Sequence, residues 1–181
     1  MSATLFTEPT ATPSQPAGTV LFTSGGTVTI NAPASVVFDT ITGFSRYDRW
    51  NDWTPSLKFE AADEEVKIGL TGLLKTHMGA QARDYDVPVE IIELSRSPAK
   101  FRLCWRSKLL PSWALTAERV QEVTPVDGAG QTCQVRNWES MGGPAAYAFK
   151  YLMGIPAQLN ELNVMYLDRL KEYVEKEQMK S

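Results

Sequence analysis

The sequence contains a single histidine, His77, and two cysteines, Cys104 and Cys133, in 181 residues. One histidine and two scattered thiols give no zinc-ligand spacing. Thiols so far apart, each in a strand-like segment, read as reduced and packed rather than bridged. No glycine-rich phosphate loop and no nucleophile elbow occurs, so no metal or organic cofactor is expected and the familiar triad chemistries are excluded. Charge of one sign is also lacking: 18 basic residues stand against 21 acidic ones, a net charge of -3. Such a surface exerts no global pull on phosphate backbones, and nucleic acid is not an expected partner. No apolar run approaches the ~20 residues of a membrane-spanning helix, and the N-terminus lacks the basic region and apolar core of a secretory signal. A cytoplasmic protein without stable membrane insertion, monomeric or homodimeric, is expected.

What is present is the material of one domain, since 43% hydrophobic and 22% charged residues suit a soluble chain with a sizeable core. Residues 1–18 are rich in Pro, Ser, Thr and Ala with one charge, Glu8, and read as a disordered leader ahead of a single domain over residues 19–178. From Val20 to Ile30 the residues are largely β-branched and apolar, interrupted by Gly25-Gly26, which predicts a strand with a bulge or a two-part strand. Pro33 opens a helix with Val37, Phe38 and Ile41 on its apolar face, Gly43 stops it, and a short helical turn follows over 44–50. Alternation then recurs in Leu57, Phe59 and Ala61, in Leu70, Gly72, Leu74 and Met78, in Tyr85, Val87, Val89 and Ile91, in Phe101, Leu103 and Trp105, and over 115–123. In Gln131 to Met141, Cys133, Val135, Asn137, Glu139 and Met141 share one face. After Gly142-Gly143-Pro144 the period changes to 3.6, and Ile155, Leu159, Leu162, Tyr166, Leu170 and Val174 form a stripe along one long helix.

This order predicts an α+β fold: a curved antiparallel sheet of six to seven strands wrapped around a C-terminal helix, with two short helices after the first strand. A helix is ~10 Å wide, whereas six or seven strands at ~4.8 Å spacing span roughly three times that. One helix cannot plug the whole concave face, and a partly apolar hollow should remain.

The residues resemble a known family. Ile30-Asn31-Ala32-Pro33 leads into Val36-Val37-Phe38, and Tyr47-Asp48-Arg49-Trp50-Asn51-Asp52-Trp53 is similar to a Trp-Asn-Pro-like segment after short helices. Phe101 to Trp105 is similar to a strand carrying Leu-x-Trp, Glu139 to Gly143 to a Glu-x-Phe-x-Gly ending, and Leu170-Lys171 with Glu175 to the final helix. Over about residues 20–177 the chain resembles the START-like helix-grip superfamily, the polyketide cyclase, dehydrase and lipid transport group. The resemblance implies a hydrophobic or aromatic small-molecule ligand held inside. It further implies either a cyclase or dehydratase-like enzyme of specialised metabolism or a non-catalytic carrier of lipid, quinone or pigment. Many relatives have a histidine where this chain has Glu118, so their histidine-based proton transfer is not implied here.

Glu139 is the first catalytic candidate. A carboxylate in a dry pocket has its charged form disfavoured, which suits acid or base work near neutrality. The alternative is a structural carboxylate that caps the Gly142-Gly143-Pro144 turn or pairs with an arginine. Asn137 and Tyr85 could polarise a ligand carbonyl, or could satisfy neighbouring backbone and be a core tyrosine with a wet tip. Trp105, Leu103, Phe101, Met141, Leu159 and Leu162 are candidates for a ligand-binding wall. Tyr147 and Tyr151, in a segment broken before Pro156, could form a lid. Glu118 is a further ligand-binding candidate, although one strand phase puts it inside and the other in water. His77 reads as solvent-facing, and Asp84, Asp86, Arg83 and Arg106 as solvated outer faces.

Overall fold

The alternating segments meet in one antiparallel sheet. The computed structural model describes residues 2–54, 56–59, 66–78, 83–126, 128 and 130–180. Its strands are Thr4–Phe6 (β1), Val20–Ile30 (β2), Ser56–Phe59 (β3), Thr71–Met78 (β4), Arg83–Ser97 (β5), Lys100–Ser107 (β6), Thr116–Pro125 (β7) and Cys133–Gly142 (β8). They lie in the order β1-β2-β8-β7-β6-β5-β4-β3, so a meander from β3 to β8 returns to pair with β2. Helices Ala34–Thr42 (α1), Pro144–Tyr151 (α2) and Ile155–Gln178 (α3) join them, with short 3-10 turns at Ala17–Thr19 and Phe44–Arg49. Among the described residues the sheet has eight strands where six to seven were expected. The additional one is β1.

That strand belongs to the segment expected to be a disordered leader. Thr4, Leu5 and Phe6 pair with Thr27, Gly26 and Gly25 of β2, and the chain beyond them runs over the outer face of the sheet. Polar bonds hold it there: Ser140 Oγ donates to the Thr10 carbonyl at 2.7 Å and the Trp138 indole to the Ala11 carbonyl at 3.3 Å, while ahead of β1 the Ala3 N–H donates to Asp168 Oδ1 of α3 at 2.9 Å. A segment with little apolar material to bury is ordered by bonds that composition does not reveal. Under it, Cys104, Val120 and Trp138 form a small second core, with Phe6 and Ile92 packed against it.

Gly25 and Gly26 do not form the expected bulge. The register of β2 with β8 is regular from Phe22 to Ile30, and the irregularity falls between Val20 and Phe22. The glycines serve close approach instead. A β-carbon at Gly25 would lie 2.5 Å from the Phe6 ring and one at Gly26 2.7 Å from Leu167 Cδ1, so each face of β2 admits a neighbour that any larger residue would displace.

Helix α3 packs on β1, β2 and β8, and α1 fills part of the same face against β6 and β7. Ile155, Leu159, Tyr166, Leu170 and Val174 are buried as the stripe predicts, with Asn163 and Leu167 joining them. Leu162 is only half-buried beside the core. Near its end, α3 is tied back to the turn after β2: Lys171 Nζ donates to the Thr29 carbonyl at 2.7 Å, and Glu175 Oε1 accepts from the Asn31 N–H at 2.9 Å and from Lys171 at 2.6 Å. Burial raises the Glu175 carboxyl, but these bonds outweigh it and hold the group below its ordinary range. β5 carries an irregularity between Ile91 and Glu93, and a bulge there bends the sheet. Because α3 lies on the β1-β2-β8 side, the face of β4 to β7 near its first turns stays uncovered. Cys104 and Cys133 are both buried and no disulfide joins them.

Candidate functional site

The hollow argued from strand count and helix width exists, as a cavity of about 470 Å³. β4 and β5 supply Leu74, Val87 and Val89 to its wall, β6 supplies Trp105, and the start of α3 supplies Ile155 and Leu159. β7 and β8 contribute Ala117 and Met141, and the α2 segment contributes Phe149 and Met153. Its mouth is marked by Tyr85, Leu109 and Met153, each about half exposed.

An ion pair stands in this largely apolar wall. Arg119 of β7 faces Glu139 of β8 in register, and its Nε and Nη2 both donate to Glu139 Oε2, at 3.2 and 2.6 Å. The side chains are 7% and 13% exposed. The guanidinium stacks on the Trp53 ring, 3.6 Å from its centroid, with Trp105 5.8 Å away. Among the described residues, Arg119 Nη1 and Glu139 Oε1 take no hydrogen-bond partner, and neither is a sealed polar atom. The wall therefore offers one donor and one acceptor to whatever enters. Removing two charges from water is costly, and their mutual attraction often fails to repay it, so packing alone does not explain a pair at a cavity wall.

Deeper in, the interior is solid. Tyr47, Trp50, Trp53 and Tyr166 pack edge to face, Tyr47 donates to the Ile41 carbonyl at 2.5 Å, and Gln121 donates to the Tyr166 hydroxyl. Burial pushes both tyrosine hydroxyls above their ordinary range, so they remain neutral.

The cavity brings together five of the expected residues: Glu139, Tyr85, Trp105, Met141 and Leu159. The others lie elsewhere. Asn137 shares the inner face of β8 but does not line the cavity, and its Nδ2 donates to Asn163 Oδ1 of α3. Leu103 is in the core and Phe101 packs on Phe38. Tyr147 and Tyr151 are exposed on the outer side of α2, where Phe149 and Met153 face the cavity instead. The helix break is at Gly154, whose φ of 63° is left-handed and suits a residue without a β-carbon.

Glu118 points away from the cavity to the outer face of β7. There it accepts from Ser14 Oγ, from Thr12 Oγ1 at 2.6 Å and from Arg106 Nε at 2.8 Å. Burial alone would raise its carboxyl, but the bonds from Ser14, Thr12 and Arg106 outweigh it and hold the group below the usual carboxylate range. Arg106 is thus a paired residue and not a solvated one. Asp86, also read as an outer residue, stands on the cavity rim. Ala61 and the side chains of His77, Met78, Arg83 and Asp84 lie outside the described residues. Arg119 was missed. The signal for it was the period-two set Ala117, Arg119, Gln121 and Val123, one face of β7, with Leu115 just ahead of it in the same phase.

No family model matches the chain. It is 28% identical over 163 residues to "Oxopyrrolidines biosynthesis cluster protein O" of Penicillium oxalicum, covering 77% of this chain and 80% of that protein. Among solved structures, a START superfamily protein from Mycobacterium smegmatis superposes with a TM-score of 0.63 at 12% identity, over 85% of this chain and 97% of that one. An aromatase/cyclase, Zhui, from a Streptomyces species superposes with a TM-score of 0.61 at 14% identity, over 85% of this chain and 93% of that one. The architecture is thus that of α+β proteins with one antiparallel sheet closed by a C-terminal helix. In particular, it is the START-like helix-grip fold. No helix among the described residues is long and apolar enough to cross a membrane.

Proposed function

We propose that the protein binds a hydrophobic or aromatic carbonyl compound in this cavity and acts on it as a polyketide cyclase or dehydratase-like enzyme of specialised metabolism in the cytoplasm. The observation that carries the proposal is the Arg119–Glu139 pair on the wall. Arg119 Nη1 donates to the ligand carbonyl, and Glu139 Oε1 takes a proton from the neighbouring carbon. The electron pair moves onto the carbonyl oxygen, where the guanidinium stabilises it as an enolate. The enolate carbon then bonds to a second carbonyl carbon of the same folded chain, and the protonated Glu139 returns its proton to the new alkoxide. Glu139 then takes the remaining proton from the same carbon, the electron pair forms a carbon–carbon double bond as the adjacent C–O bond breaks, and the departing hydroxyl takes that proton back from Glu139 and leaves as water. Tyr85 at the mouth adds a hydroxyl that can orient a second oxygen. The chemistry so written uses no metal or organic cofactor. The relative named for an oxopyrrolidine biosynthesis cluster and the structural likeness to an aromatase/cyclase support this reading.

The apolar mouth formed by Leu109 and Met153 favours a second reading, a carrier that takes up a lipid, quinone or pigment without altering it. Exchange of the methyl protons of methyl naphthyl ketone in heavy water, followed by proton NMR, separates the two. An enzyme accelerates exchange over buffer and loses this on Glu139→Gln. Exchange at the buffer rate with the ketone bound would establish the carrier.

A further inference from the structure

A cavity that takes apolar molecules must still discriminate among them, and here its charged groups decide. Among its described lining residues, the charged ones are Arg119, Glu139 and Asp86. Two carboxylates thus stand against one guanidinium. That guanidinium already gives Nε and Nη2 to Glu139 Oε2, and its face is taken by Trp53. An entering carboxylate would meet the free oxygen of Glu139 in a setting where like charges are poorly screened. It would also find the cation already paired. A neutral carbonyl meets no such opposition, because it needs only the one remaining donor.

We infer that Glu139 sets the charge preference of the cavity: paired with Arg119, it makes the site select neutral carbonyl compounds and reject carboxylates such as free fatty acids, and its neutralisation reverses that choice. The reversal follows from the arginine. A buried guanidinium stripped of its partner is strongly unfavourable, and an anionic ligand is then the group that restores the pair. The inference rests on the cavity being the ligand site, as proposed above, and deepens that reading by naming the class of molecule admitted.

Isothermal titration calorimetry with two probes of matched size and shape, methyl naphthyl ketone and naphthoate, tests it. Wild-type protein should bind the ketone at least about tenfold more tightly than naphthoate. Glu139→Gln should bind naphthoate at least about tenfold more tightly than wild type does and prefer it over the ketone. The double variant Arg119→Met, Glu139→Met, whose wall carries no pair, should keep the preference for the ketone and so assign the reversal to Arg119. The wild-type comparison stands even if a variant fails to fold. Equal binding of the two probes by wild type, or tighter binding of naphthoate, overturns the inference while leaving the cavity as a ligand site. Binding of neither probe overturns both.

Discussion

Two Arg–Glu pairs sit on opposite faces of the sheet and share only β7, and they differ in what is left over. On the outer face, Arg106 and Glu118 pair across β6 and β7, and Glu118 also accepts from Thr12 and Ser14 of the N-terminal segment. Its carboxylate is fully engaged and shut away from water. On the inner face, Arg119 and Glu139 pair across β7 and β8 but keep one donor and one acceptor unengaged beside a cavity. The first arrangement seals a segment to the sheet. The second has chemistry in reserve. Burial does not separate the two roles, since both pairs are largely buried; the unspent hydrogen-bonding capacity does.

The largest effect expected from breaking this contrast is on proton exchange. Glu139→Gln should slow enzyme-dependent exchange of methyl naphthyl ketone by about 10²–10⁴-fold, the usual contribution of a positioned base, whereas Glu118→Gln should leave it unchanged. Arg119→Met comes next. It strands the Glu139 carboxylate and should cost about 3–5 kcal/mol in urea denaturation, with much of the loss recovered when Glu139→Met is added.

Glu118→Gln should cost about 1–3 kcal/mol, because Arg106 and two hydroxyls lose a charged acceptor. It also alters the acid limb of stability. A carboxyl held below its ordinary range in the folded state contributes stability that is complete above ~4.3, the unfolded glutamate value, and is lost as pH falls through the lower folded value. Wild-type protein should therefore lose more thermal stability between neutral pH and pH ~3 than Glu118→Gln does; equal losses would show that the outer pair does not titrate as described. Smallest is Tyr85→Phe at the exposed mouth, which should shift stability by less than about 0.5 kcal/mol and slow exchange only a few-fold.

The sequence carried the inner face well where one side of a strand was clearly apolar. Phe101, Leu103 and Trp105 against Arg102, Cys104 and Arg106, and Val135 to Met141 against Arg136 to Ser140, read correctly because alternation was strong. β7 resisted the same reading because every residue from Ala117 to Val123 is buried. Its outer face is covered by a segment whose composition suggests no covering role, so Glu118 and Arg119 could not be told apart by phase. The docking of that segment depends on individual hydrogen bonds made by Thr10, Thr12 and Ser14, and no periodicity encodes these. Leu162 failed as an inside residue because α3 turns Asn163 inward, where it bonds Asn137 and Ser24. A polar residue interrupts the stripe for a partner that only the fold supplies.

A crystal structure of the protein with methyl naphthyl ketone decides whether the cavity under the sheet is where a carbonyl ligand meets Arg119 and Glu139. The ring system should lie between Trp105 and Leu159, with the carbonyl oxygen accepting a hydrogen bond from Arg119 and the methyl group facing Glu139. A cavity filled by the protein's own side chains, or a ketone bound away from this pair, would contradict it.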